Sequence, residues 1–229
     1  MRVTFISDTH SLHGKLTEQL PGGDIIIHSG DFMNSGYFWT EASVFLEWFN
    51  KLDNYTHKVL IAGNHDRWFE INMEEVIELL KLYPNITYLI DQGTVIDGVN
   101  IYGSPWQPEF MNWAFNLPKG GPDLMSKWEA IPMDTDILIT HGPPQDHLDV
   151  SGPPWNTPHL GCALLRVKVD AQPPKIHVFG HIHGGYGYKF HNDTHFFNAS
   201  VLNENYEQVN NPITIEWEPE TNQIKFLES

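Results

Sequence analysis

The stretch RVTFISDTH, residues 2–10, joins an apolar run rich in β-forming residues to an Asp-x-His pair. The run Arg2–Ser7 predicts a strand that is buried on both faces, because Val, Phe and Ile are typical of such strands. Asp8 and His10 follow at its carboxyl end. Being two residues apart, they point the same way in extended backbone. The same combination of an apolar strand and polar side chains at its end recurs along the chain and decides the fold.

Further strands and three helices are predicted from similar patterns. The apolar runs are Asp24–His28, His57–Ala62, Ile86–Ile90, Asn100–Gly103, Asp136–Thr140 and Lys175–Phe179. Segments with a helical apolar stripe are Thr40–Leu52, Asn72–Leu82 and Leu160–Val169. Strands that alternate with helices indicate a layered α/β fold.

The C-terminal part of the chain shows strand patterns without helices between them. These patterns cover Tyr186–His191, His195–Ala199, Pro212–Glu218 and Gln223–Leu227. We expect them to be antiparallel strands that complete a second sheet. The predicted architecture is therefore an α/β sandwich of two packed sheets flanked by helices.

Length and composition restrict the classes of protein to consider. With 229 residues the chain predicts one domain, residues 1–229. Its net charge of −16 argues against binding to nucleic-acid polymers or anionic membranes. The single cysteine, Cys162, excludes an intramolecular disulfide. Because no secretory signal or apolar membrane span is visible, a cytoplasmic location is expected. The sequence does not predict the oligomeric state.

Five polar clusters each follow an apolar run. They are Asp8-Thr-His10, Gly30-Asp31, Gly63-Asn64-His65-Asp66, His141 and Gly180-His181-Ile182-His183. The carboxyl ends of strands in α/β sheets are where ligands bind. Asp, Asn and His are ligands for Zn, Mn, Fe or Mg, and a carboxylate such as Asp31 can bridge two ions about 3.5–4 Å apart. Each cluster alone is weak, since a lone His is usually structural and Gly-Asn favours a turn. Together they predict a two-metal site.

Two long loops, 103–121 and 141–158, are rich in Pro, Gly and aromatic residues. Loops of this length in a compact domain are usually functional. Trp106, Phe110 and Trp113 could stack on a nucleobase, or they could pack the first loop onto the sheet. Near the clusters, His13, Tyr37 and Arg67 could line a substrate pocket, with Arg67 on a phosphate oxygen or in a surface salt bridge.

The ordered series D-x-H, GD, GNHD, H and GHIH resembles the calcineurin-like metallophosphoesterase superfamily. The segments SDTHS, GDF, GSPWQP, FNLP, DILITHGPP, HVFGHIHGGYG and FNAS are similar to the MPPED family of metallophosphoesterase-domain proteins, over about residues 3–200. The resemblance implies a four-layer α/β/β/α sandwich of two mixed sheets. It assigns Asp8, His10 and His183 to one ion. It assigns Asn64, His141 and His181 to a second, with Asp31 as the bridge.

The resemblance also implies that His65 is the acid that protonates the leaving group. Many phosphatases of the superfamily carry an Asp three residues after the bridging Asp, where it orients that His. Here the position is Asn34, which can accept a hydrogen bond but cannot stabilise an imidazolium by charge. Asp66 could take that role instead, or it could cap the following helix.

The sequence thus predicts a phosphoesterase with two divalent ions, Mn, Fe, Zn or Mg, of which Mn is favoured. A hydroxide shared by the ions would attack the phosphorus. The expected substrates are small phosphodiesters, cyclic nucleotides among them. The alternatives are a phosphomonoesterase or phosphoprotein phosphatase, a DNA nuclease that the charge argues against, and a nucleotide-binding scaffold with little turnover.

Overall fold

The computed structural model describes residues 1–152 and 157–227. The strands are β1 (Arg2–Ile6), β2 (Gly23–His28), β3 (Tyr55–Leu60), β4 (Ile86–Tyr88), β5 (Gln92–Ile96), β6 (Val99–Ser104), β7 (Gln107–Pro108), β8 (Asn116–Leu117), β9 (Ile137–Thr140), β10 (Ile176–Phe179), β11 (Gly187–His191), β12 (Thr194–Asn198), β13 (Ile213–Glu218) and β14 (Gln223–Leu227). The α-helices are α1 (Trp39–Asn50), α2 (Arg67–Ile71), α3 (Met73–Leu80), α4 (Pro122–Glu129) and α5 (Ala163–Ala171). Two 3₁₀ segments cover His13–Gln19 and His183–Gly185.

The first sheet has the strand order β14-β13-β1-β2-β3-β4. Strands β1 to β4 run parallel, and their register places Val3 beside Ile25 and Ile25 beside His57. Strand β13 pairs with β1 in the antiparallel direction and turns back into β14. Because β1, β2 and β3 are parallel neighbours, their carboxyl ends lie side by side at one edge of the sheet.

The second sheet has the order β11-β12-β10-β9-β6-β5. Its four central strands are parallel, whereas β5 and β11 are antiparallel edges. The prediction for the C-terminal strands is partly wrong. Strand β12 runs parallel to β10, and β13 and β14 join the first sheet instead of the second. Period-two patterns identify a strand but do not tell which sheet it enters, because both sheets present buried apolar faces.

The two mixed sheets pack face to face, and helices cover both outer faces. Between the sheets lies an apolar layer that includes Phe5, Ile27, Ile139 and Phe197. The outer face of the first sheet packs on α1, α2 and α3 through residues such as Phe45. The outer face of the second sheet packs on α4 and α5. This is the four-layer α/β/β/α sandwich that the family resemblance implies.

The structure adds helix α4, which the sequence patterns missed, and gives the predicted helix over Leu160–Val169 as α5. Helix α4 begins with Pro122 in its first turn, where a missing N–H costs nothing. Helix α5 begins at Ala163, because the Cys162 thiol accepts the Leu165 N–H at 3.4 Å. Of the predicted loop 141–158, residues 153–156 lie outside the described residues. Over the described ranges, no helix is long and apolar enough to cross a membrane.

Candidate metal centre

The turns that follow β1, β2, β3, β9 and β10 bring all the candidate ligands to one edge of the sandwich. Four of these ligands have a left-handed backbone, with φ of 54° at Asp8, 39° at His10, 58° at Asp31 and 65° at His181. Non-glycine residues in this region are strained, and such strain clusters at functional sites. The chain therefore leaves β1, β2 and β10 sharply and turns these side chains inward.

The first group of ligand atoms belongs to Asp8, His10 and His183. Nε2 of His183 lies 3.4 Å from Oδ1 of Asp8. The other ring nitrogen of His183, Nδ1, donates to the backbone oxygen of Asn203 at 2.8 Å. This bond fixes the tautomer and turns the Nε2 lone pair toward the carboxylate, as is common for metal-binding histidines.

The second group belongs to Asp31, His141 and His181, with Asn64 beside them. Nδ1 of His141 donates to the backbone oxygen of Ser29 at 2.9 Å, so its Nε2 faces the centre. That Nε2 lies 3.3 Å from Oδ2 of Asp31 and 2.9 Å from Oδ1 of Asn64. The four side chains therefore present their ligand atoms to one small volume.

Asp31 joins the two groups. The same Oδ2 atom that faces His141 lies 3.8 Å from Nε2 of His10 in the first group. Oδ1 of Asp31 accepts the backbone N–H of His65 at 2.7 Å, which holds the carboxylate in place. A carboxylate between two sets of ligands is the arrangement that a bridged pair of ions needs.

The protonation states suit a divalent cation. Burial lowers the pKa of His10 and of His181 to about 4, so both imidazoles are neutral and offer lone pairs at pH 7. Burial opposes ionisation of Asp8 and Asp31, but the surrounding histidines hold both carboxyl pKa values below the usual range. Neither ring nitrogen of His10 has a hydrogen-bond partner within the described residues, although both are buried. Such unsatisfied buried atoms call for a partner, and a bound ion would supply one.

Protons occupy part of this site when no cation is bound. The Asp31 carboxylate outweighs burial and raises the pKa of His141 to about 9. Asp8 raises the pKa of His183 to about 9 in the same way, also against burial. Metal ions bind neutral imidazole, so ions that enter the centre displace these protons.

His65 lies beside the ligands and packs between the rings of Trp113 and His10. The backbone oxygen of Asn34 accepts a hydrogen bond from its Nδ1 at 2.8 Å. The ring of Trp113 stacks on it at 4.1 Å between centroids, and the His10 ring meets it edge-on at 4.6 Å. Thus the Asn34 position does support His65, but through the main chain and not through its side chain.

The structure gives the Asp66 side chain other contacts than the helix cap or the support of His65 that the sequence suggested. Its carboxylate makes no capping bond to α2 in the described part of the chain. It accepts instead the backbone N–H groups of Asp31, Met33 and Gly63 at 2.7–2.9 Å. Asp66 therefore ties together the two turns that carry Asp31 and Asn64.

Two predicted substrate contacts lie elsewhere. His13 is buried against Phe45 and Trp48, with ring centroids 5.4 and 4.9 Å away, because the segment after His10 folds back onto α1. Arg67 donates to the backbone oxygen of Asn112 at 2.8 Å and lies over the Tyr37 ring. Arg67 therefore ties a loop to α2, and neither predicted contact reaches the centre.

A cleft of about 730 Å³ opens from the centre. Its walls include Phe110, Met111 and Trp113 from the first long loop, with Lys119 as a cation. Trp106, by contrast, packs the loop onto the fold, and its Nε1 donates to Asp91 at 2.8 Å. Two of the three aromatic residues considered for base stacking thus line the cleft, and the third does not.

The sequence patterns missed Tyr206, which lines the cleft at the centre itself. Its ring lies 4.8 Å from that of His10 and 5.5 Å from that of His183. Tyr206 belongs to the connection between β12 and β13 and has a positive φ of 60°. No ligand motif surrounds it, so only the return of this connection to the sheet edge reveals its position.

Comparisons with known proteins agree with this geometry. Residues 1–185 match the family model described as calcineurin-like phosphoesterase. Solved structures with a similar fold include phosphopantetheinyl hydrolase from Mycobacterium tuberculosis, with a TM-score of 0.62, 15% identity, and coverage of 89% of this chain and 90% of that one. An archaeal phosphodiesterase matches with a TM-score of 0.54, 12% identity and 99% coverage of both chains.

The chain therefore belongs to the calcineurin-like phosphoesterase family, whose members are metal-dependent phosphoester hydrolases. Within that family it is similar to Metallophosphoesterase domain-containing protein 1 of Homo sapiens. The two are 41% identical over 238 residues, which cover 94% of this chain and 70% of the human protein. Calcineurin-like phosphoesterases use divalent metal ions, and the ligand groups described above are candidates to hold them.

Proposed function

We propose that this chain is a phosphodiesterase that hydrolyses small phosphodiesters, cyclic nucleotides among them, with two divalent ions and manganese as the favoured metal. The observation that carries the proposal is the position of Asp31, whose Oδ2 faces His10 and His141 from the two ligand groups. The proposed ligands are Asp8, His10, Asp31, Asn64, His141, His181 and His183.

The ligands and their neighbours indicate which roles the ions and the protein side chains would have. When bound, the two ions would lower the pKa of the attacking water and neutralise charge on the phosphate oxygens. The chain itself orients the ligands, because Ser29 and Asn203 fix the tautomers of His141 and His183. Asp66 holds the two turns at a fixed separation.

His65 would act as the general acid. Since Nδ1 donates to the carbonyl of Asn34, the proton given to the leaving oxygen would stand on Nε2. The face of the ring is covered by Trp113, which keeps the imidazole in one orientation. A positioned acid of this kind contributes about 10²–10⁴-fold to the rate.

The cleft favours a small organic diester as the substrate. Its volume of about 730 Å³ exceeds what a bare phosphate fills, so a second substituent on phosphorus has room. The aromatic surfaces of Phe110 and Trp113 suit a planar group such as a base. A net charge of −16 disfavours a polyanionic substrate.

A substrate panel tests the proposal. The chain, loaded with manganese and analysed for metal content, should turn over bis-para-nitrophenyl phosphate and a cyclic nucleotide faster than para-nitrophenyl phosphate. Faster turnover of the monoester would favour a phosphomonoesterase, and tight nucleotide binding without product would favour a scaffold. Cleavage of single-stranded DNA as the main activity would also contradict the proposal.

A further inference from the structure

A second cluster of metal-binding side chains lies apart from the cleft, on the helix-covered face of the second sheet. Ligand atoms of His147, Asp170 and His191 all lie within 4.8 Å of one another. The three residues come from separate parts of the chain, namely the loop after β9, the last turn of α5 and the end of β11. A set that converges from three elements depends on the tertiary fold and not on local sequence.

His147 is the reason to look for a ligand here. Its side chain is fully buried, and neither ring nitrogen has a hydrogen-bond partner in the described part of the chain. Its ring stacks on Phe196 at 4.0 Å, and the His191 ring lies 5.3 Å away. Buried polar groups in folded proteins are almost always satisfied. The two unsatisfied nitrogens of His147 lie beside a carboxylate and a second histidine. A bound metal ion is a partner that would satisfy one of them.

We propose that His147, Asp170 and His191 form a second metal site that takes a zinc-type divalent ion. Two imidazoles and one carboxylate are ligands that zinc, cobalt and nickel accept, with a fourth position left for water. Tetrahedral coordination brings ligand atoms to about 3.4 Å from one another. Asp170 and His191 are exposed and can rotate inward to reach that separation, whereas His147 is held by its stacking.

The neighbouring charges and the ligand types both bear on which ion fits. Nε of Arg166 donates to one oxygen of Asp170 at 2.6 Å, and Nζ of Lys189 lies on the backbone oxygen of Asp146 at 2.7 Å. The ligand set itself disfavours a hard ion such as Mg²⁺ or Ca²⁺, which binds through several oxygens, because two of the three ligands are nitrogens. Burial, helped by Lys189 and Arg166, lowers the pKa of His147 to about 4, so its imidazole is neutral at pH 7.

An ion at this site would join α5, the β11–β12 hairpin and the loop after β9. The same loop carries Gly142 and Pro143 in the wall of the cleft. The second site would therefore stabilise one side of the cleft without contacting a substrate. It is a structural role, and it does not depend on the proposed catalytic reaction.

Zinc content measures the site directly. The chain would be stripped with a chelator, equilibrated with zinc sulfate, desalted and analysed by mass spectrometry for metals. We expect His191→Ala and Asp170→Asn to retain one zinc ion fewer per chain than the unaltered chain. His57→Ala is the matched control, because it removes another partly exposed histidine that lies 3.9 Å from an aspartate, Asp97.

A thermal measurement supplies a second readout. Zinc should raise the Tm of the unaltered chain and of His57→Ala more than that of His191→Ala, since ions that bind only the folded state stabilise it. Manganese-dependent hydrolysis should be the same in His191→Ala and His57→Ala. Equal zinc content in all four proteins would overturn the site, whatever the outcome of the substrate panel.

Discussion

The backbone carbonyl of Asn34 accepts a hydrogen bond from Nδ1 of His65 at 2.8 Å. The side chain at position 34 is not the partner, so the carboxylate that many phosphatases of the superfamily place here is replaced by a main-chain oxygen. A carbonyl fixes the imidazole tautomer as a carboxylate does, but it carries no full charge. The hydrogen bond that orients His65 therefore does not use the side chain of residue 34.

We first predict that Asn34→Ala retains activity. Its kcat/KM on a phosphodiester should change by less than about 3-fold, because the hydrogen bond uses the main chain. His65→Ala should lose about 10²–10⁴-fold in kcat while keeping its metal content. Both are measured by steady-state kinetics together with metal analysis. A large loss in Asn34→Ala with metals intact would mean that the side chain supports the acid.

Trp113 offers a second prediction, because its ring covers one face of His65 at 4.1 Å. Trp113→Ala should lower kcat by about 10-fold or more, since the imidazole loses its fixed orientation. Trp113→Phe keeps an aromatic face and should recover most of that loss. The pair is compared on the same diester at saturating metal. Full activity of Trp113→Ala would show that stacking on His65 is not required.

Asp66 gives a third prediction. Its two oxygens accept three backbone N–H groups, from Asp31, Met33 and Gly63, in a fully buried position. Asp66→Asn replaces one acceptor oxygen by an NH₂ donor that faces N–H groups. We expect the free energy of unfolding to fall by about 2–4 kcal/mol, as for other buried hydrogen-bond networks. Urea denaturation of the metal-free chain measures it.

The same substitution should also weaken metal binding, because the turns that carry Asp31 and Asn64 lose their common anchor. The surface substitution Asp134→Ala is the control and should leave both quantities unchanged, since Asp134 is exposed and its backbone has no positive φ. If Asp66→Asn bound metal and unfolded as the unaltered chain does, Asp66 would not be the anchor between the turns.

Asp31→Ala provides the fourth prediction. Because Oδ2 of Asp31 faces both ligand groups, its loss should remove activity and reduce the content of both ions together. Asn64 contacts only the second group, through His141. Asn64→Ala should therefore reduce metal content by less than Asp31→Ala does. Metal analysis on the two variants compares them. Full metal content in Asp31→Ala would contradict the bridging arrangement.

The sequence predicts the sheet edge better than it predicts the environment around that edge. Strand β1 and the turn at Asp8 are local features, so the pattern of residues 2–10 identifies both. The hydrogen-bond partners of the Asp66 side chain are not predictable from local sequence, because Asp31 and Met33 lie more than thirty residues away. Tyr206 reaches the centre through a connection without any motif. A main-chain partner such as the Asn34 carbonyl cannot be predicted from residue type, because every residue carries a backbone carbonyl.

The last prediction concerns the dependence of stability on pH. Burial against Phe45 and Trp48 lowers the pKa of His13 from 6.5 to about 4, and its Nδ1 has no hydrogen-bond partner within the described residues. Above pH 6.5 His13 is neutral in the folded and the unfolded chain. Between pH 6.5 and 4 the unfolded chain binds a proton that the folded chain does not. Stability is therefore lost as the pH falls through this window.

His13→Phe removes that proton and keeps an aromatic ring in the cluster. The free energy of unfolding of this variant, minus that of the unaltered chain, should increase by about 1.4 kcal/mol for each pH unit below pH 6.5. Urea denaturation of chelator-treated protein at pH 7.5, 6 and 5 measures the difference. Val44→Ala, an exposed change on α1 without a titrating group, should show a difference that does not vary with pH. A constant difference for His13→Phe as well would mean that His13 titrates alike in both states. A large rise in KM for His13→Phe would instead indicate that His13 contacts the substrate.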